Sequence, residues 1–163
     1  MAAGHALTAE TACSVLRDGG NAFDAAIAAA WMSMVCEPVL ASPGGGGFAM
    51  IQAGGSDPAL IDFFAQTPKV KNLDTDDFRE IFADFGEAKQ AFHIGCAATA
   101  TPGLVPGLFH LHSRHASAAM ADLLAPAIAA ARQGITVTPY QHMLSTIVAP
   151  ILVASEEARA LFA

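Results

Sequence analysis

Charge of either sign is scarce in this sequence of 163 residues, and positive charge most of all: charged residues make up 14%, with only eight Lys and Arg against fifteen Asp and Glu. A formal charge of −7 excludes a phosphate-backbone partner, because such binding rests on Lys and Arg neutralising phosphates. The sequence is also poor in cysteine, and Cys13, Cys36 and Cys96 are odd in number, far apart and without Cys-x-x-Cys spacing. That pattern excludes a disulfide frame or zinc site and predicts buried, reduced thiols. No apolar run is long enough to cross a bilayer. The longest, from Ala25 to Cys36, is interrupted by Ser33 and stopped by Glu37-Pro38, short of the ~18 residues a span needs, and is read as a buried helix. No basic segment followed by an apolar one opens the chain, which favours a cytoplasmic location, with the periplasm open if the start is truncated.

What is present is apolar content, 53%, much of it alanine. A chain of this length and composition folds, burying roughly 70% of the surface its unfolded form exposes, and is expected to form a single domain over residues 1–163. Thr8 is placed as N-cap of a first helix with Ala12, Val15 and Leu16 on one side and Gly19-Gly20 as its stop. Asn21-x-x-Asp24 reads as a capping box that starts a second helix through Ile27, Trp31 and Val35, tightly paired with the first.

After Pro38 the pattern changes. Ser42 to Gly47 is a glycine-rich loop, Phe48 to Ala53 a strand, Gly54 to Pro58 a turn, and Ala59 to Phe64 the returning strand of a hairpin. Alternation across the second strand puts Asp62 and Phe64 on one face and Ile61 and Phe63 on the other. From Asp74 to Glu87 there are six acids and one base, and Phe78, Ile81, Phe82 and Phe85 recur at i, i+3, i+4 and i+7. That spacing predicts an amphipathic helix capped by Thr75, with Asp76 and Asp77 in its first turn. Ile94 to Thr101 is expected to be a strand. Helices follow: one opened by Pro106 with Leu108 and Leu111; one capped by Ser117, with Met120, Leu123, Leu124 and Ile128 as its stripe, Pro126 inside and Gly134 at its end; and one begun by Thr138-Pro139. The chain then runs through Ile151 to Val153 and stops at Leu161-Phe162-Ala163 in an apolar-faced helix with no terminating signal, an odd place for a natural C-terminus. This order is α+β rather than a βαβ repeat.

Several motifs fail their own requirements. The run Gly44-Gly45-Gly46-Gly47 has no following Gly-Lys-Ser/Thr and leads into a strand, so close backbone packing is the better reading than a phosphate loop. Of His110, His112 and His115, only the last two share a helical face, too few for a metal site. No Gly-x-Ser-x-Gly elbow occurs.

Taken in order, Gly4-His5-Ala6-Leu7-Thr8-Ala9-Glu10, Gly19-Gly20-Asn21-Ala22-Phe23-Asp24-Ala25-Ala26, Glu37-Pro38, Gly44-Gly45-Gly46-Gly47-Phe48, Pro102-Gly103, Leu124-Ala125-Pro126-Ala127-Ile128 and Ala131-Arg132-Gln133-Gly134 resemble the start of the gamma-glutamyltranspeptidase family. The resemblance spans essentially the whole chain. It implies part of a four-layer αββα sandwich of the N-terminal-nucleophile hydrolase type, made as a precursor that cuts itself to free a threonine at the start of a small subunit. That threonine passes a gamma-glutamyl group, usually from glutathione, to water or an amino acid, with no cofactor. The family's Thr-Thr-His cleavage segment does not occur in this chain, so no catalytic residue is assigned within it. The chain is read as the N-terminal part of a large subunit, partnered by the remainder of the same precursor.

The family's Asp-Phe-Arg-Glu-x-x-Pro stretch, whose arginine holds the α-carboxylate of the gamma-glutamyl group, appears as Asp62-Phe63-Phe64-Ala65-Gln66-Thr67-Pro68. Asp62, Phe64 and Gln66 are therefore the substrate-binding candidates, with Phe64 at the arginine position. Guanidinium holds a carboxylate through paired charged hydrogen bonds, each worth roughly 1.5–3 kcal/mol, and phenylalanine offers none. Either the pocket takes a less polar acyl group, or Lys69 or Arg79 supplies the charge, or Phe64 only packs in the core. Two other classes stay open: a catalytically silent relative acting as a binding or assembly module, and a small anion-binding protein using the glycine loop.

Overall fold

The computed structural model describes residues 1–70 and 77–162. Its contacts group the chain into two compact units, Met1–Gln66 with Pro102–Thr136, and Thr67–Thr101 with Val137–Ala163.

The first unit is built around one helix. α1 (Ala6–Arg17) is capped by His5, whose Nδ1 accepts from Leu7 N–H at 3.1 Å. The expected cap, Thr8, instead lies inside the helix and is buried, its hydroxyl beside the Cys36 thiol. Leu16 is largely exposed, so the inward face is turned from the expected one towards Thr8, Thr11 and Ala12. The stop is as expected: Gly19 N–H donates to Leu16 O and Gly20 N–H to Val15 O, the paired bonds of a Schellman ending.

α2 (Ala22–Cys36) starts with the anticipated capping box between Asn21 and Asp24. Its buried residues, among them Ala25, Ile27, Ala28, Met32, Met34 and Cys36, lie all round it, as they must on a helix enclosed by its neighbours. α1 packs along it, as do α3 (Leu104–His115) and α4 (Met120–Gln133). Leu108, Leu111 and Leu123 complete the core with Ile27, Ala28 and Met34.

Asp24 does more than cap. Its carboxylate also accepts from Ser117 N–H (2.9 Å), Ala118 N–H (3.1 Å) and the Ser117 hydroxyl, besides Asn21 N–H (2.9 Å). Ser117 is therefore not the cap of α4; that position falls to Ala119, and Ser117 ties the α3–α4 turn to the start of α2. The Asn21 side chain adds a bond to His115 O (2.8 Å), and the His115 ring stacks on Phe23. In α4 the buried positions are Leu123 and Ala127, whereas Ile128 is exposed. Pro126 is inside the helix and Gly134 ends it, as anticipated.

β1 (Phe48–Ile51) and β2 (Ala59–Asp62) form the expected hairpin, antiparallel with Phe48 opposite Asp62 and Met50 opposite Leu60. Two further bonds between Gly47 and Phe63 extend the ladder. Ala49, Ile51, Ile61 and Phe63 pack on the helical core, and the alternate residues face away.

The second unit departs most from expectation. The predicted helix over Asp74–Glu87 is a hairpin over its described part, β3 (Arg79–Asp84) paired antiparallel with β4 (Lys89–Ile94). Thr75 and Asp76 lie outside the described residues. A helix would need Phe78, Ile81, Phe82 and Phe85 on one side, but Phe78, Phe82 and Phe85 are exposed, and burial falls at Ile81 and fully buried Ala83, two residues apart. Asp84 Oδ1 accepts from Gly86 N–H at 2.8 Å and closes the turn. The expected strand from Ile94 ends at once. Gly95, at φ 103°, turns the chain into a single 3-10 turn, Cys96–Ala98, held by Asp77 Oδ2 accepting from Cys96 N–H at 2.8 Å. These bonds, with the Arg79 guanidinium at 3.1 Å, hold the exposed Asp77 carboxyl below its usual range. α5 (Pro139–Ile147) has the expected Thr138 cap and Pro139 start, with Gln141 closing a capping box. α6 (Ala149–Leu152) packs on β3, and α7 (Glu156–Phe162) follows with Leu161 and Phe162 exposed.

Of the cysteines, only Cys36 meets the expectation of burial. Cys13 is half-buried, and Cys96, carried to the surface by the turn after Gly95, is exposed. Among the described residues no helix is long and apolar enough to cross a membrane.

Candidate functional site

The candidate residues lie where β2 leaves the hairpin. Strand alternation turns Phe63 inward and Phe64 outward, so Phe64 is 52% exposed and takes no part in the helical core of this chain. Asp62 Oδ1 accepts from Phe64 N–H at 2.9 Å, an Asx-type turn that fixes the backbone at this exit. Gln66 Nε2 donates to Phe64 O at 3.4 Å. The three side chains are thus brought together on one exposed stretch, bonded through the Phe64 backbone.

Behind this stretch lies the glycine loop. A Cβ on Gly46 would collide with Ala65 N and the Phe64 backbone, so only glycine permits the approach. Gly45 O accepts from both Gly103 N–H (3.0 Å) and Leu104 N–H (3.1 Å), which joins the loop to the start of α3. The Phe63 ring sits against Gly107 of that helix. The loop is therefore used for close packing, as the sequence suggested, and its amides and carbonyls brace the strand end that carries Phe64. A cavity of about 290 Å3 opens beside it, lined in part by Ser33, Ser42, Gly45, Gly46 and Leu104.

One neighbour escaped the sequence reading. Phe48, the first residue after the glycines, stacks on Phe64 with ring centroids 5.4 Å apart and planes 13° from parallel. The hairpin register was the signal available, since it places Phe48 opposite Asp62 and next to Phe64 on the outward face.

The expected sources of compensating charge are placed as follows. The Arg79 guanidinium is engaged by Asp77 within the second unit, and Lys69 is an exposed residue of that same unit. Asp62 has no ion pair among the described residues. The histidines do not form a metal site: His112 Nε2 donates to Ala118 O at 2.9 Å, His115 stacks on Phe23, and His110 is exposed. Among the described residues no group of His, Cys, Asp and Glu could hold a metal ion.

The gamma-glutamyltranspeptidase family profile matches residues 8–163. The chain is 34% identical over 135 residues to the glutathione hydrolase proenzyme of Pseudomonas aeruginosa, covering 82% of this chain and 23% of that protein. It is 31% identical over 141 residues to the acylase ACY 1 proenzyme of Pseudomonas sp. strain V22, covering 83% of this chain and 25% of that protein. Among solved structures, Helicobacter pylori gamma-glutamyltranspeptidase superposes on 98% of this chain, using 44% of its own, with a TM-score of 0.78 and 25% identity. The chain spans about a quarter of the length of the curated relatives it matches. Its α+β fold is that of part of the N-terminal-nucleophile hydrolase sandwich. With the family match running from residue 8 to residue 163, this chain belongs to the gamma-glutamyltranspeptidase family, matching its N-terminal part.

Proposed function

We propose that the chain is part of the large subunit of an acyl-transferring or acyl-hydrolysing enzyme, and that the strand end bearing Asp62, Phe64 and Gln66 forms one wall of its substrate pocket. The observation that carries this reading is the family match over residues 8–163, shared with relatives whose names are both proenzymes, one a glutathione hydrolase and one an acylase. The reactive group would be an N-terminal threonine on a small subunit outside this chain. A hydroxyl is a weak nucleophile until a base takes its proton, and a freed α-amine with a pKa near ~8 can do so. The threonine oxygen then attacks the acyl carbonyl, the amide C–N bond breaks, the amine leaves with the proton, and water or an acceptor amine releases the acyl group. Nothing in these steps requires a metal or organic cofactor. The acyl group is gamma-glutamyl or a related one.

The test is incubation of the complete protein with acyl anilides, following aniline release and a mass increase of one acyl group on the threonine-initiated chain. Release with that mass supports the reading. Absence of both would favour the silent binding or assembly module, the second reading, which the replacement of arginine by Phe64 permits.

A further inference from the structure

Phe64 stands where the hairpin ladder ends, and its backbone is held more closely than its exposed ring suggests. Gly47 and Phe63 exchange both of their N–H···O bonds, at 3.3 and 3.1 Å, so the next N–H, that of Phe64, points to the opposite edge of β2. Among the described residues no strand pairs with that edge. The acceptor comes from the same strand instead: Asp62 Oδ1, at 2.9 Å. Two glycines crowd the rest of the Phe64 backbone, since a Cβ on Gly46 would meet Phe64 Cα and C, and one on Gly103 would meet Phe64 O.

From this we infer that Asp62 is a positioning residue, whose side chain serves as a hydrogen-bond acceptor that sets the Phe64 backbone, and through it the ring, rather than as a charge presented to substrate. The inference rests on the reading that this strand end walls the substrate pocket. The bond spans residue i to i+2, so it fixes the turn between the last ladder pair and the glycine contacts. What it controls is the direction of the Phe64 ring, which lies 5.4 Å from that of Phe48 and 13° from parallel. Gln66 is a lesser partner, because its Nε2 reaches Phe64 O only at 3.4 Å.

The task needs an oxygen acceptor at this position, which a carboxamide supplies as well as a carboxylate. A substrate contact would depend on the negative charge itself. The two roles therefore separate on substitution.

The experiment compares Asp62→Ala and Asp62→Asn in the complete protein, by steady-state hydrolysis of gamma-glutamyl and phenylacetyl para-nitroanilides and by amide exchange at Phe64. Asp62→Ala should raise KM about three- to tenfold for whichever anilide the wild type cleaves, with kcat within about twofold, because Phe64 belongs to the wall and not to the reacting centre. A change that only destabilised the fold would do the reverse, lowering the active fraction and the apparent kcat at constant KM. Asp62→Asn, which keeps the acceptor, should recover most of the lost affinity. Exchange at Phe64 N–H should quicken at least about fivefold in Asp62→Ala and much less in Asp62→Asn. An unchanged KM in Asp62→Ala overturns the inference, and so does a KM in Asp62→Asn raised as far as that of the alanine variant, the result expected of a charge that touches substrate. If the wild type cleaves neither anilide, the acyl-transfer reading fails and exchange at Phe64 decides alone: fast exchange confined to Asp62→Ala upholds the positioning role, and any other pattern overturns it.

Discussion

Replacing Asp24 by alanine should be among the most destabilising single changes in the first unit, and the reason can be counted from its partners. The carboxylate is fully buried and has no basic partner among the described residues; it is held by the N–H groups of Asn21, Ser117 and Ala118 and by the Ser117 hydroxyl. Burial alone raises its pKa, and the bonds from Ser117, Asn21 and Ala118 outweigh this, leaving the group below the usual aspartate value. Alanine would strand three backbone donors, while the hydroxyl can rotate to another acceptor. With ~1–3 kcal/mol lost per stranded buried donor, and water able to reach some of them, the loss should be about 3 kcal/mol. Asparagine keeps the shape but turns an N–H2 towards N–H donors, so Asp24→Asn should lose about 1–2 kcal/mol. The pH dependence follows by linkage. A depressed folded pKa means that the stabilisation is complete above the unfolded value near ~4 and is lost as pH falls through the folded one, so the gap between wild type and Asp24→Asn should close only in acid. Urea unfolding at pH 7 and across the acid range measures both, with an unchanged m-value required for the comparison. A change of less than about 0.5 kcal/mol for Asp24→Ala at pH 7 would refute the reasoning.

Gly46→Ala should destabilise the first unit by about 1–3 kcal/mol, because the added methyl meets the backbone of Phe64 and Ala65 rather than a movable side chain; the shift in urea midpoint reports it. Thiol labelling of the folded protein should modify Cys96 fastest and Cys13 more slowly, with Cys36 protected until unfolding, since burial and the nearby Glu37 carboxylate push its thiol pKa up. Gly95→Ala should loosen the turn after β4, where a side chain would be strained at φ 103° and would strike Asp77; faster amide exchange at Cys96 N–H reads this out.

The helix pair was legible because its signals are local. The Gly19-Gly20 stop and the Asn21-Asp24 box are each completed by a few adjacent residues, and the hairpin with its Asp62/Phe64 face follows from period-two alternation. Tertiary partners were not legible. Ser117 looked like a cap because its acceptor, Asp24, is 93 residues away, and Thr8 looked like a cap although its neighbour is Cys36. The failure over Phe78–Phe85 has a different origin: aromatic residues at helical spacing also suit a strand, and burial of Ala83, which carries no strong signal, decided the period. At the candidate site the sequence located Phe64 by resemblance but missed Phe48, whose stacking on Phe64 appears only once the register sets the two rings side by side.

The most direct test of the central claim is intact mass analysis with N-terminal sequencing of the complete purified protein. The account predicts two chains, the larger containing this sequence and the smaller beginning with threonine. A single uncleaved polypeptide that stays intact on prolonged incubation would contradict it.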